Sequence, residues 1–365
     1  MAPLNSLNSR GKKGEKDGAT LHPRPSRPLG RTDAGWFCEQ GDALYREKRF
    51  EEALRVFNQA LAIDPVLEIA LYVKGNCLQG LGRYQEAVAA YDRTLVNNPH
   101  RASAWNNRGI ALLGLGRIDA GLQCFTRAVH SDAREQRAWF NRAICLHSLG
   151  RVREAVECYS RVLALDPRDG EAWIEKGNAL YHVRRYEESA ACYDEILRLD
   201  SQSSKAWLNR GVSLHCLGRF EEAVESYNHA LKLDPRDWRG WYNKGMSLHL
   251  LRQYQGAIEC YDSALELDPQ DARVWTNKGA SLQCQGRFET AIFCYDRALK
   301  ADPRAVAAWH NRADSLTSLY RFEEALGSRH RALRLEPIAG RGWLTRSKTH
   351  IPRRQETPKS LAGSL

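Results

Sequence analysis

Residues 204–237 read SKAWLNRGVSLHCLGRFEEAVESYNHALKLDPRD. Trp207, Gly211 and Leu214 lie three and four residues apart, so they share one face of a helix. Gly218 follows, where a helix end that turns back needs φ > 0. Phe220, Ala223, Val224, Tyr227, Ala230 and Leu231 set out a second apolar stripe at helical spacing. Glu221 and Glu222 open that helix, where their charge suits the positive helix end. Asp234-Pro235 closes it, because Pro cannot continue a helix and biases its predecessor out of the α region. The stretch predicts a helix hairpin.

The pattern recurs on both sides. Trp105, Trp139, Trp173, Trp207, Trp241, Trp275, Trp309 and Trp343 follow one another at steps of 34 residues with no insertion. With Ala34, Glu68, Ala102, Gln136, Gly170, Ser204, Trp238, Ala272 and Val306 as position 1, nine full repeats run from Ala34 to Ala339. Position 8 is Gly or Ala throughout, and position 11 is always Leu. One hairpin cannot bury its own apolar face. Stacked neighbours bury it for one another, which makes a solenoid.

Trp at position 4, a small residue at 8, Ala at 20, an aromatic at 24 and Pro at 32 together resemble the tetratricopeptide repeat, whose period is the same. The resemblance covers 306 of 365 residues. It implies an all-α fold, a right-handed α-solenoid superhelix of helix-turn-helix units. One departure is systematic. Where the family usually has Leu at position 7, this chain has Lys74, Arg108, Arg142, Lys176, Arg210, Lys244, Lys278 and Arg312. Their stems are expected to cover neighbouring helices while their heads reach water. Position 11 is Leu where the family often has Tyr. Trp343 opens a tenth first-helix pattern that stops at Pro352, so residues 340–351 are expected to form a capping helix. Residues 1–33 and 352–365 read as disordered tails.

The net charge of +10 does not belong to the repeats. Residues 1–33 carry +4 and residues 340–365 carry +5, which leaves about +1 for the repeat body. The body has no single-sign field to steer a polyanion, which argues against nucleic acid as its partner. No apolar run approaches the ~18 residues of a membrane span. Met1 to Gly30 lacks the apolar region of a secretory signal, and ten cysteines without a CxxC pair read as reduced thiols. An intracellular, cytoplasmic protein is expected. The basic run Arg10, Lys12, Lys13 and Lys16 leaves the nucleus as the alternative.

No phosphate loop, GxSxG, HExxH or kinase set occurs, and the tails leave no room for a catalytic domain. The expectation is a non-enzymatic protein without cofactor or metal. His147, His215 and His249 share position 12. Equivalent positions are expected to lie two helix diameters apart, too far to share an ion bound at ~2 Å.

Helix geometry locates the face that packing leaves unused. At about 100° per residue, positions 4, 8 and 11 fall near roughly 0°, 40° and −20°, while positions 2, 6, 9 and 13 fall on the opposite side. The resemblance implies that this side of the first helix lines a concave groove. Position 6 holds Asn107, Asn141, Asn209, Asn243, Asn277 and Asn311, interrupted by Glu175. Asn is a mediocre helix former, so six of seven need a reason. A carboxamide can meet both the donor and the acceptor of an extended peptide unit. The row looks like the asparagine ladder in the superhelix of O-linked N-acetylglucosamine transferases. The alternative is repeat duplication, with Asn on a solvated face or bonded to a neighbouring repeat.

Position 2 adds Arg137, Lys205, Arg239 and Arg273, and position 9 adds Ile110, Ile144, Val212 and Met246. An acidic or amphipathic peptide suits such a groove. The carboxylate clamp for a chaperone tail needs Lys at position 5 and Asn at position 9. Tyr72 and Ile174 stand at position 5 above Asn76 and Asn178, so no chaperone tail is expected. The function expected is a scaffold or adaptor that binds other proteins or peptides in the concave groove. The rivals are a structural array assembled through the solenoid ends, and RNA binding through the basic tails.

Overall fold

The computed structural model describes residues 33–335. The expected capping helix at 340–351 and the tail segments at 1–32 and 352–365 lie outside them. All regular structure in the described residues is helical, and the chain divides into two units between Pro235 and Arg236.

The first unit contains α1 (Ala34–Arg46), α2 (Phe50–Ile63), α3 (Glu68–Gly80), α4 (Tyr84–Asn97), α5 (Ala102–Gly114), α6 (Ile118–Ser131), α7 (Gln136–Ser148), α8 (Val152–Leu165), α9 (Gly170–His182), α10 (Tyr186–Leu199), α11 (Ser204–Cys216) and α12 (Phe220–Leu233). The second contains α13 (Trp238–Leu250), α14 (Tyr254–Leu267), α15 (Ala272–Cys284), α16 (Phe288–Ala301), α17 (Val306–Ser318) and α18 (Phe322–Leu335). Within each unit every first helix packs on its hairpin partner, and every second helix packs on the first helix of the next repeat.

The tight turn inside each hairpin is local chemistry. Gly82, Gly116, Gly150, Gly218 and Gly286 have φ between 73° and 78°. Arg83 N donates to Leu78 O at 2.8 Å and Gly82 N to Gln79 O at 3.0 Å, so two otherwise unpaired carbonyls of α3 are satisfied. Four repeats make the same turn without glycine, through Lys48, Arg184, Arg252 and Tyr320 at φ 61–62°.

The core lies between paired helices. Position 24 places Phe57, Tyr91, Phe125, Tyr159, Tyr193, Tyr227, Tyr261 and Tyr295 inside, all buried. The small residue at position 8 makes room for that ring. A Cβ on Gly211 would lie 2.6 Å from Tyr227 Cε1. Trp at position 4 ties its repeat to the one before. Trp105 Nε1 donates to Pro99 O at 2.8 Å, Trp173 to Pro167 O, Trp275 to Pro269 O and Trp309 to Pro303 O, each at 3.0 Å. The Pro that stops one helix thereby presents the carbonyl that receives the next repeat.

Candidate functional site

The candidate groove residues stand on the first helices, α3 to α17. Those helices also touch one another, α1 on α3, α3 on α5, α5 on α7, α13 on α15 and α15 on α17. This contact decides what position 6 does. Asn107 Nδ2 donates to the Tyr72 hydroxyl at 3.0 Å and to Asn76 Oδ1 at 2.9 Å. Asn141 Nδ2 donates to Asn106 Oδ1 at 2.9 Å, and Asn277 Nδ2 to the Tyr242 hydroxyl at 3.0 Å. Each acceptor of these NH2 groups belongs to the preceding repeat, while Asn107 Oδ1 accepts from Asn106 Nδ2 of its own helix at 3.0 Å. These amides link repeats, whatever else they do. Asn107, Asn209, Asn243, Asn277 and Asn311 remain partly exposed.

Two candidate residues are corrected. Asn141 is 6% exposed and Ile144 0%, so both are packing residues here rather than groove contacts. The first helix of repeat 4 is wedged between its neighbours, which a single-helix projection does not show. Ile110, Val212 and Met246 are partly exposed. The position-2 cations divide into two pairs. Arg239 and Arg273 fold back onto the N-cap carboxylates of their own helices, Asp237 at 2.8 Å and Asp271 at 2.6 Å. Arg273 also lies 5.4 Å from the Trp238 ring centroid. Arg137 and Lys205 form no ion pair among the described residues, with Lys205 fully on the exposed side.

The position-7 cations do more than reach water. Arg108 pairs with Asp92 at 2.6 Å, Arg210 with Asp194 at 2.6 Å and Arg312 with Asp296 at 2.7 Å; Lys278 pairs with Asp262 in the same way. Each Asp stands at position 25 of the preceding repeat. Arg108, Arg142, Lys176, Arg210, Lys244 and Lys278 also lie over the ring of their own Trp. In repeat 3 position 25 is Thr126, and buried Arg142 Nε has no hydrogen-bond partner.

One histidine outside the position-12 row approaches it. His147 and His182 sit at positions 12 and 13 of adjacent repeats, and their ring centroids are 5.7 Å apart. His147 Nδ1 is buried without a hydrogen bond, and burial together with the His182 ring pushes its pKa down. Burial lowers His215 and His249 likewise. Among the described residues no three His, Cys, Asp or Glu side chains converge as a metal-ligand set.

Glu175 is the exception at position 6. It is partly buried in α9 and forms no hydrogen bond or ion pair among the described residues. Burial, and then the charge of Glu171, raise its pKa. Its neighbour Ile174 is 38% exposed, whereas the other position-5 side chains from repeats 2 to 6, Tyr72, Asn106, Phe140 and Leu208, are 7% or less.

Family comparison assigns the repeats. The tetratricopeptide repeat family matches residues 34–65, a series of overlapping segments from 72 to 272, and 272–304. The chain belongs to the tetratricopeptide repeat family. No curated protein matches it. Among solved structures, the C-terminal part of a TPR repeat-containing protein from Cytophaga hutchinsonii is 16% identical with a TM-score of 0.58, over 66% of this chain and 98% of that one. YrrB, described as a TPR protein with an unusual peptide-binding site, is 23% identical with a TM-score of 0.45, over 52% of this chain and 97% of that one. MamA residues 41 to the end, from Desulfovibrio magneticus RS-1, is 20% identical with a TM-score of 0.44, over 46% of this chain and 96% of that one.

The fold is an all-α solenoid of tetratricopeptide repeats. Within that family frame, the Arg or Lys at position 7 of repeats 3, 6, 8 and 9 forms an ion pair to the preceding repeat where the family usually has an apolar contact. Sequence reasoning missed the position-25 Asp that completes it. The signal was present: Asp92, Asp194, Asp262 and Asp296 each precede their cation by 16 residues. No helix among the described residues is long and apolar enough to cross a membrane.

Proposed function

We propose that the chain is a non-enzymatic interaction scaffold that holds an extended or helical segment of another protein along the first-helix face of its repeats. One observation carries the reading. The packing positions 4, 8, 11, 20 and 24 are occupied within the stack, while the same face of successive first helices keeps polar and apolar side chains partly exposed. Asn107, Ile110, Asn209 and Val212 line it in the first unit, Met246, Asn277 and Asn311 in the second. A carboxamide oxygen still has acceptor capacity after its NH2 group has donated. Arg137 and Lys205 add unpaired cations.

Substituting the Asn row tests stability as well as binding, because its amides join repeats. A cleaner variant changes the apolar side chains of the face. Peptides selected from a random display library on the whole chain should bind the double variant Ile110→Ser, Val212→Ser at least about tenfold more weakly, some 1.4 kcal/mol. Circular dichroism should show the helix content retained. Equal affinity for both proteins would move the binding face elsewhere.

A second reading has its own observation. Phe322, Leu326 and Leu333 of α18 are 60%, 56% and 48% exposed. An uncovered apolar end favours self-assembly through that end.

A further inference from the structure

Of the seven first helices from repeat 3 onwards, six carry an amide at position 6, and α9 carries Glu175. The change is more than a substitution of one polar group by another. In repeat 3, Asn107 donates to the position-5 hydroxyl of Tyr72 and to the position-9 amide oxygen of Asn76. The repeat that precedes Glu175 offers Phe140 and Ile144 at those two positions, both fully buried. A carboxylate has no proton to donate at neutral pH, and these neighbours have none to give it.

The result is a carboxylate removed from much of its water with nothing to balance it. Arg137 of the preceding repeat and Lys205 of the following one form no ion pair with it. Among the described residues the charge that acts on it is Glu171, one helical turn away and of the same sign. A charged group in that position costs free energy unless a cation arrives. Beside it, Ile174 is the one position-5 side chain in repeats 2 to 6 that the stack leaves exposed. An exposed branched alkyl group next to an uncompensated carboxylate matches one kind of side chain. It is a long aliphatic stem ending in a cation.

We infer that α9 carries a subsite for a lysine or arginine side chain of the bound peptide, with the stem laid on Ile174 and the charged head on Glu175. This rests on the groove reading above and makes it more specific. The peptide is anchored in repeat 5 by a cation, rather than being recognised through its own acids as the sequence pattern alone suggested. Lys205 and Arg137 then favour acidic residues on either side of that cation.

The test is a random-decapeptide display selection on the full chain and on Glu175→Gln, followed by affinities of the enriched peptides made synthetically. Peptides selected on the unmodified protein should share one Lys or Arg. Replacing it with norleucine should weaken binding tenfold or more to the unmodified protein and by less than twofold to Glu175→Gln. Glu175→Gln should also melt no lower than the parent, since it removes an uncompensated charge. Enriched peptides without a common cation, or an equal norleucine loss on both proteins, would overturn the subsite and leave the groove reading standing. No enrichment on either protein would overturn both.

Discussion

At the scale of the residue, a repeat makes its departures from ideal chemistry visible by giving each position its own controls. The hairpin turn needs a left-handed residue at position 15. Five repeats supply Gly, and Lys48, Arg184, Arg252 and Tyr320 adopt φ 61–62° without it. A side chain with a Cβ pays roughly 1–2 kcal/mol for that region. Arg184→Gly is therefore expected to raise stability by about 1 kcal/mol, read from the urea midpoint. Its guanidinium forms no ion pair that would be lost among the described residues. An unchanged or lower midpoint would mean that the turn is not strained. The same internal comparison singles out Glu175, the one position-6 carboxylate among the described residues that is partly buried, with neither a hydrogen bond nor an ion pair to balance it.

At the scale of the element, what joins one hairpin to the next is a set of long-range polar contacts laid over an apolar core. The Trp indole reaches the carbonyl before it, the position-6 amide of repeats 3, 4 and 8 reaches the preceding first helix, and the position-7 cation of repeats 3, 6, 8 and 9 reaches the preceding Asp. The third contact has a natural gap. Thr126 stands where Asp92 and Asp194 stand in other repeats, and Arg142 Nε is buried without a partner. A buried donor left unmade costs about 1–3 kcal/mol. Thr126→Asp is expected to stabilise the chain by about 1 kcal/mol, and adding Arg142→Leu should cancel the gain. A thermal-melt double-mutant cycle measures the coupling; no coupling would mean that the Asp side chain turns to solvent. The reciprocal experiment is Asp194→Asn, which should destabilise by a similar amount because Arg210 is only about one-fifth exposed.

At the scale of the whole molecule, the ends of a repeat array matter because each repeat is covered by its neighbours. Repeat 9 shows partial adaptation. Arg329 replaces the buried aromatic at position 24 and pairs with Asp314 at 3.2 Å. Phe322, Leu326 and Leu333 nonetheless stay exposed on α18. The proposed capping segment at 340–351 offers Trp343 and Leu344 for that face. The full chain is then expected to scatter light as a monomer over a wide concentration range. A chain ending at residue 339 should associate progressively. Association of the full chain would favour the self-assembling reading instead.

Much of this was legible in the sequence because it is periodic. Helix boundaries, the glycine turn, the buried rings at position 24 and the all-α solenoid follow from the spacing of Trp, Gly, Leu, Ala and Tyr, since these are contacts that recur in most repeats. The candidate groove was less legible. A helical projection treats each first helix as standing alone, and on it Asn141 and Ile144 point away from the core. In the stack, adjacent first helices touch, so that side is partly an interface, and Asn141 and Ile144 are buried in it. The approach of neighbouring repeats also brings His147 and His182, which stand at different positions of their repeats, to within 5.7 Å. Packing against the preceding second helix likewise turns Arg108, Arg210, Lys278 and Arg312 from solvated heads into links between repeats. What the sequence determined by itself was the local and the repeated: which residues form each hairpin and which stripe it buries. What only the tertiary structure decided was which polar groups are spent on neighbouring repeats and which remain for a partner, because that depends on distances between helices and not on spacing along one.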